Sequence, residues 1–345
     1  MAPGTAPRPP AWVRSALPRA QAAQAPPGHE GAPSRPLAVN HLDVFVPAFG
    51  LLAVGAVLRR SLLREDAVWA GIERLVFWVL MPALLTSAIA SVDLAALPLG
   101  RMALAIWLAL LAGTAVSVAL ARAAGLDHAS MTSVLQGGIR FNNLMGFAVT
   151  GGLFGAAGTA LGAVATGLIV PVVQTITILA FALAPNTGRR IAPGRVLRQL
   201  ALNPLMLGVV AGFAMAALGG LPAGLNPLMR TLGQAAVALG LLCVGAALSP
   251  GALRGRPVVQ AATCLIKLGL MPLLTLWFGR ALGLDPLSLA VALVFMALPT
   301  ATTSYVMARA MGGDAPLMAA LITTEHLLSV LTLPLWIALL GLGGP

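Results

Sequence analysis

The composition of this 345-residue chain is that of a membrane protein. Hydrophobic residues make up 59% of it and charged residues only 9%, which is far more apolar surface than a soluble core would hold. The net charge of +11 comes from arginines scattered through short polar connections, without a basic face or interleaved aromatic residues. That pattern excludes nucleic acid as a partner and favours the lipid bilayer.

The first 40 residues differ from the rest of the chain. They are rich in proline and alanine, contain four arginines and lack a long apolar run. We therefore predict a disordered tail at 1–40 and no signal peptide, because a signal peptide needs an apolar central region. A translation start near Val39, which would make the tail an artefact, stays open as an alternative.

The remainder divides into ten apolar stretches, each near the roughly 20 residues that a helix needs to cross a bilayer. Arginine, proline, glycine and aspartate separate them. The sequence predicts an all-α integral membrane protein with ten transmembrane helices, near 43–59, 67–90, 99–121, 129–150, 157–184, 199–219, 227–248, 257–280, 287–310 and 315–341.

The connecting loops predict the orientation in the plasma membrane. Those after spans 1, 3, 5, 7 and 9 carry Arg59, Arg60, Arg64, Arg122, Arg189, Arg190, Arg195, Arg198, Arg254, Arg256 and Arg309. The opposite loops, leaving out the tail, carry Arg101, Arg230 and Arg280. Because arginine is enriched on the cytoplasmic side, we expect the first set in the cytoplasm and both chain termini outside.

An internal repeat relates the two halves of the chain. ARAAGLDHAS at 121–130 aligns with GRALGLDPLS at 279–288, a shift of 158 positions, and the same shift aligns Gly155 with Gly313. Two halves of five spans, 41–185 and 186–345, must enter the membrane in opposite directions because five is odd. Such a 5+5 inverted repeat is typical of transporters, whose substrate site lies near the midplane between the repeats.

Two polar stretches lie at matching positions of this repeat, in the middle of spans 4 and 9. The first is QGGIRFNNLMG at 136–146 and the second is LPTATTSY at 298–305. We expect helix 4 to break at Gly137 and Gly138, and helix 9 to break at Pro299, which lacks a backbone donor. Broken helices at membrane depth occur where they line a cavity or are buried in protein.

The polar residues of these stretches are the candidate substrate site: Arg140, Asn142, Asn143, Pro299, Thr300, Thr302 and Thr303. The alternative is that the asparagines and threonines join helices by hydrogen bonds. Two interpretations of Arg140 stay open, because its guanidinium suits either a substrate carboxylate or a structural ion pair with Glu325 on span 10.

Glu325 and His326 form an adjacent titratable pair in an apolar span and are the candidate ion-coupling residues, for a proton or sodium. The alternative is a structural hydrogen-bond network. Lys267, in span 8, is expected to extend to the interface. Because the histidines are dispersed and no phosphate-binding loop or nucleophile motif occurs, we expect no metal site, no cofactor and no enzymatic activity.

Several segments together resemble the auxin efflux carrier family, including its bacterial malate-permease-like branch. They are LVFWVLMPALL (75–85), RFNN (140–143), LGLLCVGAALSP (239–250), IKLGLMPLL (266–274) and LPTATTSYVMARAMGGD (298–314). The resemblance covers residues 42–343 and implies a fold like that of sodium/proton antiporters and bile acid symporters, with helices 4 and 9 crossing at their broken centres. It implies that substrate carboxylate is held there, with Asn142, Asn143, Pro299, Thr300 and Thr302 at the matching positions.

The resemblance further implies a secondary transporter of a small organic anion, such as malate, malonate or an auxin-like acid, and a homodimer. Plant members break both helices at proline, whereas this chain has Gly137, Gly138 and Arg140 in the first stretch. This difference favours a small anion other than auxin. A transporter-like membrane receptor that binds its ligand without net transport is the alternative function.

Overall fold

A computed structural model describes residues 41–92, 99–183 and 193–340. The predicted tail at 1–40, together with Arg189 and Arg190 of the orientation analysis, lies outside these residues. Within them the chain is 86% helical and contains no strand. The helices are α1 (His41–Ser61), α2 (Asp66–Leu75), α3 (Met81–Ala90), α4 (Leu99–Ala123), α5 (His128–Ile139), α6 (Asn143–Ala182), α7 (Pro193–Ala201), α8 (Pro204–Ala217), α9 (Leu225–Ala247), α10 (Pro257–Cys264), α11 (Met271–Ala281), α12 (Pro286–Ala297), α13 (Thr303–Met311) and α14 (Ala315–Leu339).

Seven helical segments of the described chain are long and apolar enough to cross a membrane, so this is a multi-pass membrane protein. They are Leu42–Ser61, Asp66–Ala90, Leu99–Ala123, His128–Ala182, Leu225–Ala247, Pro257–Ala281 and Ala315–Leu339. Predicted spans 4 and 5 share the segment His128–Ala182. The helices at the sixth and ninth predicted spans, α8 and α12, are shorter than the others.

The helix bounds follow the sequence repeat. A shift of 158 residues carries α4 onto the segment Pro257–Ala281 and α5 onto α12, with the same first and last positions. The turns that precede α5 and α12 are also alike. Gly125 and Gly283 have positive φ angles of 62° and 65°, and the following aspartates, Asp127 and Asp285, each accept a hydrogen bond from the backbone of the serine three residues later.

The first break does not lie where the glycines predict it. Gly137 and Gly138 belong to α5, which continues to Ile139, and the non-helical residues are 140–142. The prediction of a break at these glycines is wrong because they serve packing instead. A Cβ at Gly138 would lie 2.2 Å from Ser117 Oγ on α4, and one at Gly137 would lie 2.9 Å from Thr263 Cγ2 on α10.

The second break lies where proline predicts it. Helix α12 ends at Ala297 and α13 begins at Thr303, with Pro299 between them. The prolines inside α1, α6 and α14 do not end those helices. The long helix α6 is interrupted at Gly155, whose φ of 59° and ψ of −141° lie outside the helical region and require glycine there.

A π-helical turn, Leu265–Leu270, joins α10 to α11 just before Pro272. Proline cannot donate to the carbonyl four residues earlier, and the indole N–H of Trp336 donates to that carbonyl, Leu268 O, at 2.7 Å. Lys267 lies in this turn, fully buried, and its ammonium donates to Met296 O at 3.2 Å. The expectation that Lys267 extends to the interface is therefore wrong. It has a partner inside the protein, at the carboxyl end of α12.

The helices pack in two groups. In one, α1 and α3 lie against α8 and α9, and the contact is close because Cβ atoms at Gly55 and Gly245 would lie 2.1 and 2.0 Å from backbone oxygens across the α1/α9 interface. In the other group, α4, α5 and α10–α14 pack together. Helix α6 contacts both groups, which places the break that precedes it next to both.

Candidate functional site

The two helix breaks meet inside the protein. The backbone N–H of Asn142, in the first break, donates to the carbonyl of Pro299, in the second, at 2.9 Å. Pro299 and Asn142 are thereby joined directly, although 157 positions separate them in the sequence. The structure brings both predicted polar stretches to one place.

A cavity of about 630 Å³ opens beside this contact. Five of the predicted substrate residues line it, together with apolar, aromatic and further polar side chains. The predicted residues are Arg140, Asn142, Asn143, Thr302 and Thr303, and the other polar ones are Glu73, Arg74, Gln174 and Asn203. A mostly apolar cavity with a few convergent polar groups is the usual form of a small-molecule site.

Arg140 turns its guanidinium to uncharged partners. Nη1 lies 3.2 Å from Gln174 Oε1 and 3.1 Å from Met307 Sδ, and Nη2 donates to Thr303 Oγ1 at 3.0 Å. Its Nε has no hydrogen-bond partner. The ion pairs among the described residues are Arg59–Asp66 and Arg256–Asp314, so the alternative that Arg140 pairs with Glu325 is wrong. Among the described residues, no carboxylate forms an ion pair with Arg140, although Glu73 lines the same cavity.

Two helix N-termini border the cavity beside Arg140. The side chain of Asn142 caps α6 by accepting from the backbone N–H groups of Leu144 and Met145. Helix α13 starts without a side-chain cap, because Thr302 makes no capping bond. The N–H groups of Ser304 and Tyr305 in its first turn donate to Ala301 O and Thr302 O. It is the positive ends of the two helix dipoles that favour an anion here.

Pro299 and Thr300, also predicted to bind substrate, do not line the cavity. Thr300 is fully buried, its hydroxyl donating to Gln136 O at 3.2 Å and its backbone N–H donating to Glu325 Oε2 at 2.7 Å. Glu325 is buried as well, and its other oxygen, Oε1, has no hydrogen-bond partner. The Glu325 carboxylate therefore accepts a hydrogen bond from the backbone of the second break, at a position that does not line the cavity.

His326 holds the first break in a similar way. Its Nε2 lies 3.0 Å from Asn142 Nδ2 and its Nδ1 lies 2.7 Å from Ile322 O. Adjacent residues of α14 therefore contact both breaks, Glu325 through Thr300 and His326 through Asn142. Within the described residues, no group of three or more histidines, cysteines, aspartates and glutamates is arranged to hold a metal ion.

Some residues of the site were not identified from the sequence. Gln174, Asn203, Glu73 and Arg74 line the cavity, while Gln136 is buried behind the breaks with both side-chain polar atoms unpartnered. Gln136 and Gln174 each lie in an apolar helix, where a polar residue is a functional signal. Arg74 and Glu73 gave no such signal because they lie near the start of a span.

Comparison with known proteins identifies the family of the chain. None of the curated protein sequences matches the chain. The family described as "Membrane transport protein", the auxin efflux carrier family, matches residues 41–337, nearly all of the described chain. Its members are membrane transporters. The chain belongs to the auxin efflux carrier family of membrane transport proteins.

Proposed function

We propose that this protein is a secondary active transporter of a small organic anion in the plasma membrane, working by alternating access. Malate, malonate and auxin-like acids are the candidate substrates. The observation that carries this proposal is the Arg140 guanidinium, which faces the cavity between the breaks with neutral partners only. A buried arginine is costly in a membrane, and a substrate carboxylate would offset that cost.

The binding residues in this proposal are Arg140, Asn142, Asn143, Thr302 and Thr303, with Pro299 and Thr300 shaping the second break. The guanidinium would bind the carboxylate, and the positive end of the α13 dipole would add to the attraction. Apolar cavity walls, among them Phe77, Trp78 and Met81, would contact the rest of the molecule. Glu325 and His326 are the proposed coupling residues, for a proton or sodium.

The transport movement follows from a 5+5 inverted repeat of ten spans, with broken helices 4 and 9 crossing. The repeat is supported by the common bounds of α5 and α12 at a shift of 158 residues and by their matching aspartate caps. The group containing α4, α5 and α10–α14 would move against the group of α1, α3, α8 and α9. Such movement would expose the cavity to either side in turn.

The remaining features of the proposal concern topology and assembly. The repeats span 41–185 and 186–345, both termini lie outside the cell, and the protein is a homodimer. The arginine distribution supports the orientation. Cysteine labelling from outside, at Leu62→Cys in the loop after α1 and at Gly283→Cys before α12, tests it. The first should be protected in intact cells and the second reactive.

Exchange in proteoliposomes tests the transport proposal. Vesicles loaded with unlabelled malate, malonate or indole-3-acetate are supplied with the same compound in labelled form, and empty liposomes serve as the control. Exchange of at least one compound, saturable and reduced in Arg140→Gln, is expected. Specific binding without any flux would identify a receptor instead. The absence of both binding and flux for all three compounds would refute an organic-anion site.

A further inference from the structure

The region behind the breaks, away from the cavity, contains buried polar groups that the anion site does not use. Glu325 and Lys267 are both fully buried there. Gln136 is also buried, in α5, the helix that ends just before Arg140. The side-chain amide of Gln136 and Glu325 Oε1 have no hydrogen-bond partner. Unpartnered groups at this depth cost free energy and indicate a functional role.

We infer that Glu325 carries the coupling ion, that this ion is a proton, and that His326 stays neutral as a positioning residue for Asn142. The inference rests on the proposed function and specifies which ion is coupled and which residue of the pair takes it. Three observations carry it: the orientation of the Asn142 amide, the contacts of the Glu325 carboxylate and the charge of Lys267.

The role of His326 follows from Asn142. The Asn142 oxygen accepts from Leu144 N–H and Met145 N–H, so the amide nitrogen must be the atom that faces His326 Nε2. An amide nitrogen donates, and Nε2 must therefore accept. Nδ1 lies against a carbonyl oxygen and must be the protonated nitrogen. Both ring nitrogens are thus assigned in the neutral tautomer, and a second proton on Nε2 would break the contact with Asn142.

Glu325 is free to take a proton. Oε2 accepts from Thr300 N–H, and Oε1 has no partner that a proton would displace. A Cβ on Gly137 would lie 3.4 Å from Oε1, so the glycine leaves room beside that oxygen. A proton that arrives from one aqueous side forms an O–H bond at Oε1 and converts the carboxylate to a neutral acid, and its departure to the other side restores the charge.

The surroundings of Glu325 favour a proton over sodium. Lys267 is the group whose charge acts on Glu325, and the charge of Glu325 in turn acts on the Cys264 thiol. Besides the adjacent His326, other charged or titratable residues of the elements packed against α14 lie at helix ends or in the breaks: His41, Asp43, Arg59, Arg60, His128, Arg140, Arg254, Arg256, Tyr305, Arg309 and Asp314. A hard metal cation needs several oxygen ligands, whereas here an N–H donor occupies Oε2 and an ammonium repels cations.

Protonation also links this region to the anion site. With Glu325 charged, the carboxylate and Lys267 cancel each other. With Glu325 protonated, Lys267 keeps its charge and donates to Met296 O, one residue before the end of α12. The unbalanced positive charge behind the breaks then favours an anion in the cavity, and by linkage a bound anion favours the proton.

Infrared difference spectroscopy of the purified full-length protein in liposomes tests the inference without any substrate. A pH step should produce a carboxylic-acid carbonyl band that Glu325→Gln removes and that Glu73→Gln and His326→Gln retain. Replacing choline chloride with sodium chloride at constant pH should leave the band unchanged. No histidinium signal from His326 should appear over the same pH range; the His326→Gln variant identifies any such signal by its loss.

Three results would overturn the inference: a band that survives Glu325→Gln, a band that sodium removes, or a histidinium signal from His326. If Glu325→Gln does not assemble, Glu325→Asp identifies the band by shifting its frequency. The sodium comparison is made on the unmodified protein. A failure of anion exchange with this band present would refute the proposed transport function and leave the proton site in place.

Discussion

The two helix breaks differ in what surrounds them, although the repeat makes them equivalent. The first, around Arg140 and Asn142, faces the cavity and is capped by its own asparagine. The second also reaches the cavity, through Ala301 and Thr302, but its Thr300 is buried and donates to Glu325 on α14. Two copies of one element thus have different surroundings, and the proposed function assigns the anion to the cavity and the proton to the buried carboxylate.

The largest effect is expected from removing the charge of the first break. Arg140→Gln should raise the half-saturation concentration of the transported anion about 10- to 150-fold, because hydrogen bonds to a charged group contribute about 1.5–3 kcal/mol. Exchange kinetics in proteoliposomes measure it. Arg230→Gln, an exposed arginine far from the breaks, is the matched control and should leave the half-saturation concentration unchanged.

Arg140→Gln should assemble as well as the unmodified protein, because Arg140 has no carboxylate partner to lose. Loss of folded protein in detergent, with normal transport kinetics in the part that folds, would mean that the arginine is structural. That outcome would remove the functional difference between the two breaks.

Crowding the contact of α5 with α10 and α14, close to Glu325, is the next largest perturbation. A Cβ at Gly137 would lie 2.9 Å from Thr263 Cγ2 and 3.0 Å from Leu321 Cδ1, so Gly137→Ala should destabilise the fold by about 1–3 kcal/mol through overpacking. Thermal unfolding in detergent measures this. Gly71→Ala is the control, since no atom lies within 4 Å of the added carbon. Equal melting temperatures for both variants would show that the packing of Gly137 against Thr263 and Leu321 has room for a methyl group.

The capping difference between the breaks predicts unequal alanine effects. Asn142→Ala should cost about 1–2 kcal/mol of stability, because Asn142 caps α6 and also contacts His326. Thr302→Ala should cost close to nothing, since Thr302 makes no capping bond at α13. Denaturation midpoints compare the two. A larger loss for Thr302→Ala would reverse the assignment of the capped and uncapped breaks.

The smallest effects are expected at the turns that precede the broken helices. Asp127→Ala and Asp285→Ala each remove an equivalent N-cap and should each cost about 1 kcal/mol or less. Hydrogen bonds from Ser130 hold the pKa of Asp127 below its ordinary value. Its contribution is therefore present above the ordinary aspartate pKa and is lost as the pH falls through the lowered value.

Melting temperatures of the Asp127→Ala protein, measured from neutral to acidic pH, check this dependence. The gap between variant and unmodified protein should close on acidification. A gap that widens in acid, or a cost confined to one of the two aspartates, would separate the turns that the repeat makes equivalent.

The sequence predicted most of this arrangement, for identifiable reasons. Proline cannot donate a backbone hydrogen bond, so the second break was located correctly at Pro299. The first break was misplaced at Gly137 and Gly138 because glycine indicates either flexibility or close packing, and only the neighbouring helices decide which. The asparagine that caps α6 was the better signal, since asparagine favours helix N-termini.

Side-chain partners were predicted less well than helices. Arg140 contacts Gln174 and Met307, and Lys267 contacts Met296 O. Each of these contacts joins different helices, and the spacing of the residues in the sequence does not indicate that they meet. The ion pair with Glu325 was a reasonable alternative for Arg140 because Glu325 lies at similar depth. Which charges meet depends on helix rotation about the breaks, and hydropathy does not determine that rotation.

The most direct test is the reactivity of two cysteines at the second break, one facing the cavity and one buried behind it. In a Cys243→Ala background, Thr303→Cys should react with a water-soluble thiol reagent, and malate or malonate at saturating concentration should slow the reaction. Thr300→Cys should remain unreactive, because that position is fully buried behind the cavity. Reactivity at position 300, or labelling at 303 that none of the candidate anions slows, would contradict an anion site in the cavity between the breaks.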